Sequence, residues 1–195
     1  MRREPHVRIR EGEGVQFPLA TRLVICCRGQ ANQAMDAMRD MMRKLKLTVN
    51  EEKTHICRLP DQSFDFLGYT FGRCYSEQTG FRYIGQRPSK KKIQAMCRQI
   101  SEYTTGCLCW LGVEEQVDRL NRMMGGWANY FCQGPVSHAY RSITQHARQR
   151  LRRWLRRKHK LRGWGYTRFP DEYLHKTLGL VQLRLCDRNV PWAKA

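Results

Sequence analysis

The sequence predicts an α+β chain, with a mixed α/β part over about residues 23–86 and an all-helical part over about 87–168. Three observations predict it. The runs 23–27 (Leu-Val-Ile-Cys-Cys) and 64–71 (Phe-Asp-Phe-Leu-Gly-Tyr-Thr-Phe) have the length and the apolar or aromatic content of strands. Beyond Arg87-Pro88-Ser89 the apolar residues recur instead at three- and four-residue spacing. No internal repeat or low-complexity linker divides the two textures.

Residues 1–22 form a divergent N-terminal segment, polar and without a period. The run 23–27 reads as a buried strand, with Cys26 and Cys27 packing as small hydrophobes. A helix is predicted over 31–45, where Ala34, Met35, Met38, Met41, Met42 and Leu45 share a face. Asn50-Glu51-Glu52 reads as a turn. The run 64–71 is one strand, in which Gly68 permits a close approach or a bulge. A loop around Gln78-Thr79-Gly80 joins it to another strand over 81–84. Ser89 is a candidate N-cap, yet Lys90, Lys91 and Lys92 follow it at the positive end of the helix dipole. That mismatch suggests an external anion. Ile93, Met96, Cys97 and Ile100 form one helical stripe, and Val117, Leu120, Met123 and Met124 another. Trp127, Tyr130 and Phe131 share a helical face and read as core. Over about 136–157, Ile143, Ala147, Leu151, Trp154 and Leu155 lie on one face. The tail, 169–195, holds a short helix near 171–178.

The 195 residues carry a formal charge of +19. Repulsion of that size opposes compaction, so a polyanionic partner is the natural way to offset it. No apolar run reaches the roughly 18 residues a spanning helix needs, so no membrane partner is expected. The N-terminus lacks an apolar stretch and carries acids, unlike a signal or transit peptide, which places the chain in the cytoplasm or wherever its nucleic acid is. Nine cysteines include no CxxC pair. Cys107 and Cys109 make a lone CxC, so no metal site is expected.

The segment 148–162, RQRLRRWLRRKHKLR, contains no acid. Leu151, Trp154 and Leu155 anchor one face. Arg148, Arg150, Arg152, Arg153, Arg156, Arg157, Lys158, Lys160 and Arg162 crowd the rest. Like charges at i,i+4 destabilise a helix by a few tenths of a kcal/mol each. Phosphates would relieve that repulsion through charge-assisted, often bidentate contacts, and arginine suits them better than lysine. Charge alone separates neither RNA from DNA nor one sequence from another.

Five blocks in series resemble a known family: Leu47-Thr-Val-Asn-Glu-Glu-Lys53-Thr54, Phe64-Asp-Phe-Leu-Gly-Tyr-Thr-Phe-Gly72, Pro88-Ser-Lys-Lys-Lys92, Gly125-Gly-Trp-Ala-Asn-Tyr-Phe131 and Leu151-Arg-Arg-Trp-Leu-Arg-Arg-Lys-His-Lys160. Their order and spacing are similar to the end of the palm and the thumb, or maturase-specific domain, of group II intron reverse transcriptases. The resemblance implies a partial reverse-transcriptase palm over 23–86 followed by a helical thumb over 87–168. It implies structured RNA, above all group II intron RNA, as partner. Lys53 matches a palm lysine near the incoming triphosphate, and Phe66, Leu67, Gly68 and Tyr69 match the region that holds the primer end. With Lys53, the expected RNA-binding set is Lys90, Lys91, Lys92, Arg148, Arg152, Arg153, Arg156, Arg157, Lys158 and Lys160.

One departure decides the chemistry expected. The family's polymerases hold two magnesium ions with three carboxylates, two of them in a Tyr-Ala-Asp-Asp turn before the Leu-Val-Ile-Cys-Cys strand. Here that position reads Leu19-Ala20-Thr21-Arg22. Thr21 and Arg22 stand at the aspartate positions, and an arginine repels a cation. The third carboxylate and the fingers belong to family sequence upstream of anything matched here, and the C-terminal endonuclease is absent as well. The expectation is a chain with no catalytic residues and no cofactor of its own, derived from a truncated or locally frameshifted intron gene. Two alternatives stand beside RNA binding in maturase fashion. The chain could complete a split reverse transcriptase with a separate fingers-palm polypeptide, or it could be a nonfunctional relic.

Overall fold

The structure, a computed structural model, describes residues 23–76, 79–163 and 165–184. Thr21, Arg22, the rest of the N-terminal segment, Gln78 and Cys186 lie outside the described residues. The chain divides between Ile56 and Cys57 into two compact units.

In the first unit, α1 (Ala31–Lys44) follows the predicted helix closely. Arg43 and Lys44 occupy its last turn, where cations meet the negative end of the dipole. Of its apolar stripe only Met38 is fully buried, while Met41 and Leu45 are about half exposed. Asn50 caps a 3₁₀ turn, Glu51–Lys53, by accepting from the Lys53 amide at 3.1 Å. Arg39 grips Glu51 through both Nε and Nη2, tying that turn back to α1. The run 23–27 does not form the expected strand: among the described residues it has no ladder partner, and Leu23, Val24, Ile25, Cys26 and Cys27 are exposed. Apolar composition makes a strand only where a neighbouring edge can take its N–H and C=O groups.

The second unit opens with a three-stranded antiparallel sheet in chain order: β1 (Phe64–Phe66), β2 (Tyr69–Tyr75) and β3 (Arg82–Pro88). The single strand expected over 64–71 is instead a hairpin that turns at Leu67-Gly68, with Phe66 paired to Tyr69. Both turn residues have positive φ, +49° and +87°, which matches the right-handed twist of the flanking strands. Leucine in that conformation costs about 1–2 kcal/mol, so the turn needs outside support. Among the described residues Cys74 on β2, rather than Cys26 or Cys27, is the buried thiol.

Three helices follow: α2 (Lys90–Tyr103), α3 (Val113–Tyr130) and α4 (Ser137–Lys158). Ser89 caps α2, its hydroxyl accepting from the Lys92 amide at 3.4 Å. The Gln116 amide donates to the Tyr103 carbonyl, and the Tyr140 hydroxyl donates to the carbonyls of Ala128 and Phe131. Along the other contact, Ser101 meets His146, Arg150 meets Thr104, and Lys158 reaches Leu111. So α2 and α4 run in the same sense and α3 returns between them. The core joins Met96, Ile100, Val117, Leu120, Met124, Ile143, Ala147, Leu151, Trp154 and Leu155. It also takes Phe169, Leu174 and Leu180 from the segment after α4, where a short helical turn forms at Tyr173–Thr177. Asn121 on α3 holds that segment, donating to Gly179 O and accepting from the Val181 amide. Of the aromatic trio expected in the core, Phe131 is buried and Trp127 is partly buried against the cluster, but Tyr130 is 56% exposed. Its position at the end of α3 lets the ring edge reach solvent while the hydroxyl bonds the hairpin turn.

Candidate nucleic-acid interface

The acid-free segment does not leave all its cations to an external anion. Arg152 is 3% exposed; its Nη2 meets Asp171 at 2.5 Å, its Nε donates to the Phe169 carbonyl, and its guanidinium stacks on Tyr166 at 4.2 Å. Arg148 takes the other Asp171 oxygen. Arg150 donates to Thr104 Oγ1 and to the Ser101 carbonyl, and Arg156 donates to Gly163 O. Lys158 places its ammonium on the carbonyls of Cys109 and Leu111, beside the Trp154 ring. Helix carbonyls add to this, since Arg156, Arg157 and Lys158 fall in the last turn of α4 at its negative end. Arg152 is therefore buried and fixed by the fold through Nε and Nη2. Arg148, Arg156 and Lys158 keep only part of their capacity.

The other cations predicted to meet RNA in the second unit fall into two groups. At one end of the bundle Lys90, Lys91 and Lys92 are exposed, with Arg87 beside them. At the other end Arg153, Arg157 and Lys160 are exposed. Among the described residues none of these seven has a hydrogen-bonding or anionic partner. Lys92 lies by Phe131 and Arg157 by Gly106, so the groups are about 20 Å apart at 1.5 Å per helical residue. The fold does not gather the predicted set into one patch. Lys53 is exposed in the first unit. Arg87 and Arg98 are exposed, unpartnered cations that belong to no continuous basic run and so carry no signal in the sequence.

The second group raises the local potential. Burial, and then the guanidinium groups of Arg153 and Arg157, pull Arg150 below the ordinary arginine value. His146 is pulled below its usual 6.5, first by burial and then by Arg150. The Ser101 hydroxyl donates to the Cys97 carbonyl at 3.0 Å, so His146 Nε2, 2.9 Å from that hydroxyl, is the protonated ring nitrogen and donates to it. Burial and the neighbouring Arg150 favour the neutral ring. Because the folded value lies below the unfolded one, the stability His146 contributes is present above about pH 6.5 and is lost as pH falls through the folded value. Denaturant midpoints at pH 7.5 and pH 5 are expected to differ less in His146→Gln than in the parent. An unchanged difference would remove His146 from the account.

The Phe66-Leu67-Gly68-Tyr69 block is clasped by the helices. Tyr130 Oη donates to the Leu67 carbonyl at 2.9 Å, and the Ser89 amide donates to the Gly68 carbonyl at 2.9 Å. A Cβ at Gly68 would lie 3.0 Å from the buried Phe131 ring and 3.2 Å from Lys92 Cγ. Tyr69 is buried against Tyr130 and Phe131, and its hydroxyl donates to the Tyr130 carbonyl at 2.7 Å. Burial pushes that phenol up. Phe66 is partly buried, and only the Leu67 side chain, 60% exposed, projects freely from the block.

Among the described residues no group of three or more His, Cys, Asp or Glu side chains could hold a metal ion. No described helix is long and apolar enough to cross a membrane. No curated protein matches the chain. Residues 88–169 match the family described as the group II intron, maturase-specific domain. That match opens at Pro88, ends at Phe169 and takes in all three bundle helices, so the helical part of the chain is similar to the maturase-specific domain of group II introns.

Proposed function

We propose that the chain binds folded group II intron RNA and assists its folding and splicing in maturase fashion, with no bond-making step of its own. One observation carries this reading: a maturase-specific bundle presents exposed, unpartnered cations at both of its ends. Two groups about 20 Å apart fit separate phosphates of a folded RNA better than a single small anion. Lys53 and the projecting Leu67 would add palm-side contacts, with Phe66, Gly68 and Tyr69 shaping the turn that presents Leu67.

The test is a binding titration against a folded group II intron RNA, with unrelated structured RNA as competitor, at two salt concentrations. Lys90→Glu/Lys91→Glu and Arg153→Glu/Arg157→Glu are each expected to weaken binding. Each pair should flatten the slope of log K against log salt by about two, because it takes away two cations that neutralise phosphates. Preference for the intron RNA should survive the higher salt. Equal, salt-labile binding of both RNAs, or full affinity in either double variant, would overturn the proposal.

A further inference from the structure

Beside α4 lies a cavity of about 80 Å³ lined by Gln149, Arg152, Arg153 and Tyr166. Every lining side chain can donate a hydrogen bond, and none is a carboxylate. Arg152 commits Nε to Phe169 and Nη2 to Asp171, which leaves Nη1 without a partner among the described residues. That buried guanidinium cannot swing away, because Tyr166 stacks on it and Asp171 holds its far edge. The Gln149 amide and the Tyr166 hydroxyl also make no hydrogen bond within the described residues. Asp171 is the nearest anion, and both of its oxygens already face Arg148 and Arg152.

A small cavity walled by donors, with no carboxylate, suits an oxyanion. A fixed guanidinium, a second mobile one and two neutral donors are the groups that hold such an anion by charge-assisted bonds. We propose that this cavity is a seat for one phosphate group of the bound RNA's backbone. The inference rests on the RNA-binding reading and deepens it. Arg152, fixed by Asp171 and Tyr166, serves as the floor of the seat, and Arg153 closes over it from the solvent side.

The test uses Gln149→Glu, which places a carboxylate in the cavity wall. Gln145→Glu is the control, making the same charge change one turn earlier on α4 at an exposed position outside the lining. Two probes are used on the full chain: inorganic phosphate against chloride at equal ionic strength, read as a shift in unfolding temperature, and a folded group II intron RNA. Phosphate should raise the unfolding temperature of the parent and of Gln145→Glu, but not of Gln149→Glu. On RNA, Gln149→Glu should bind about tenfold more weakly than Gln145→Glu at 0.1 M salt, with a salt slope smaller by about 0.9. Equal RNA affinity in the two variants, with the parent binding RNA normally, overturns the seat and leaves the RNA-binding reading intact. A parent that binds phosphate in the cavity but no RNA overturns that reading, and with it the RNA backbone as the source of the phosphate. Unfolding in chloride confirms that both variants fold.

Discussion

Trp154→Ala is expected to destabilise the second unit by about 3–5 kcal/mol, the range for truncating a large aromatic in a close-packed core. Trp154 is fully buried on α4, within the same cluster as Met96 and Ile100 of α2, Leu120 and Met124 of α3, and Leu174 of the segment beyond. The hole would therefore open where all these elements converge, and no single neighbour can relax to fill it. The Lys158 ammonium rests 5.4 Å from the indole centroid, so its packing surface goes too. Domains of ordinary stability hold only about 5–15 kcal/mol in total, and the variant should be partly unfolded at physiological temperature. Trp154→Phe should lose less. It keeps an aromatic ring and removes the indole N–H, which is buried without a partner among the described residues. Urea midpoints for the two variants check this, and a loss below about 1 kcal/mol in Trp154→Ala would contradict the packing described.

Asp171→Ala should cost about 2–4 kcal/mol. Removing one partner of a fully buried pair costs about 3–5 kcal/mol, because the other charge is stranded. Asp171 is 52% exposed, so water reaches the pair and the figure is set lower. Arg152 would keep its bond to Phe169 and its stacking on Tyr166, yet it would face Arg148 with nothing between them. Combining Asp171→Ala with Arg152→Met should recover most of the loss, since an apolar side chain of similar length needs no counter-charge. The diagnostic quantity is the coupling energy from the double-mutant cycle. Simple additivity of the two single losses would mean that the pair does not stabilise the fold.

How much of the fold is legible in the sequence depends on which contacts are local. The faces of α2, α3 and α4 can be read from spacing, because a 3.6-residue period puts Ile100, Leu120 and Leu151 on the buried side whatever they pack against. The 23–27 run cannot, because apolar composition is silent on whether a partner edge exists. The break at Leu67-Gly68 escapes a sequence reading for a related reason: a leucine at positive φ is stabilised by Tyr130 and Ser89, both remote in sequence. In the basic segment, local charge tells half the story. It points to Arg153, Arg157 and Lys160, which do face solvent, but it does not show that Arg152 is buried with its counter-ion nineteen positions later. A signal is present: no Asp or Glu occurs between Asp118 and Asp171, so the first acid after the run is the natural place to look. Gln149 and Tyr166 carry no such signal, because neutral donors are conspicuous only once a cavity gathers them.

The wedge formed by Phe169, Leu174 and Leu180 has a consequence for the order of events at the ribosome. Domains begin to fold from the N-terminal side as the chain emerges. Here the bundle cannot close when α4 appears, because three of its core residues and the counter-ion of Arg152 are still to come. Until then a nascent helix dense in arginine shares the exit region with ribosomal RNA. Completion of the last turns does two things at once: it fills the hydrophobic gap and gives Arg148 and Arg152 their carboxylate partner, Asp171. The final stretch of the helical part thus acts as a release step, turning a sticky intermediate into a closed bundle in which the most buried arginine of the basic helix is neutralised from within.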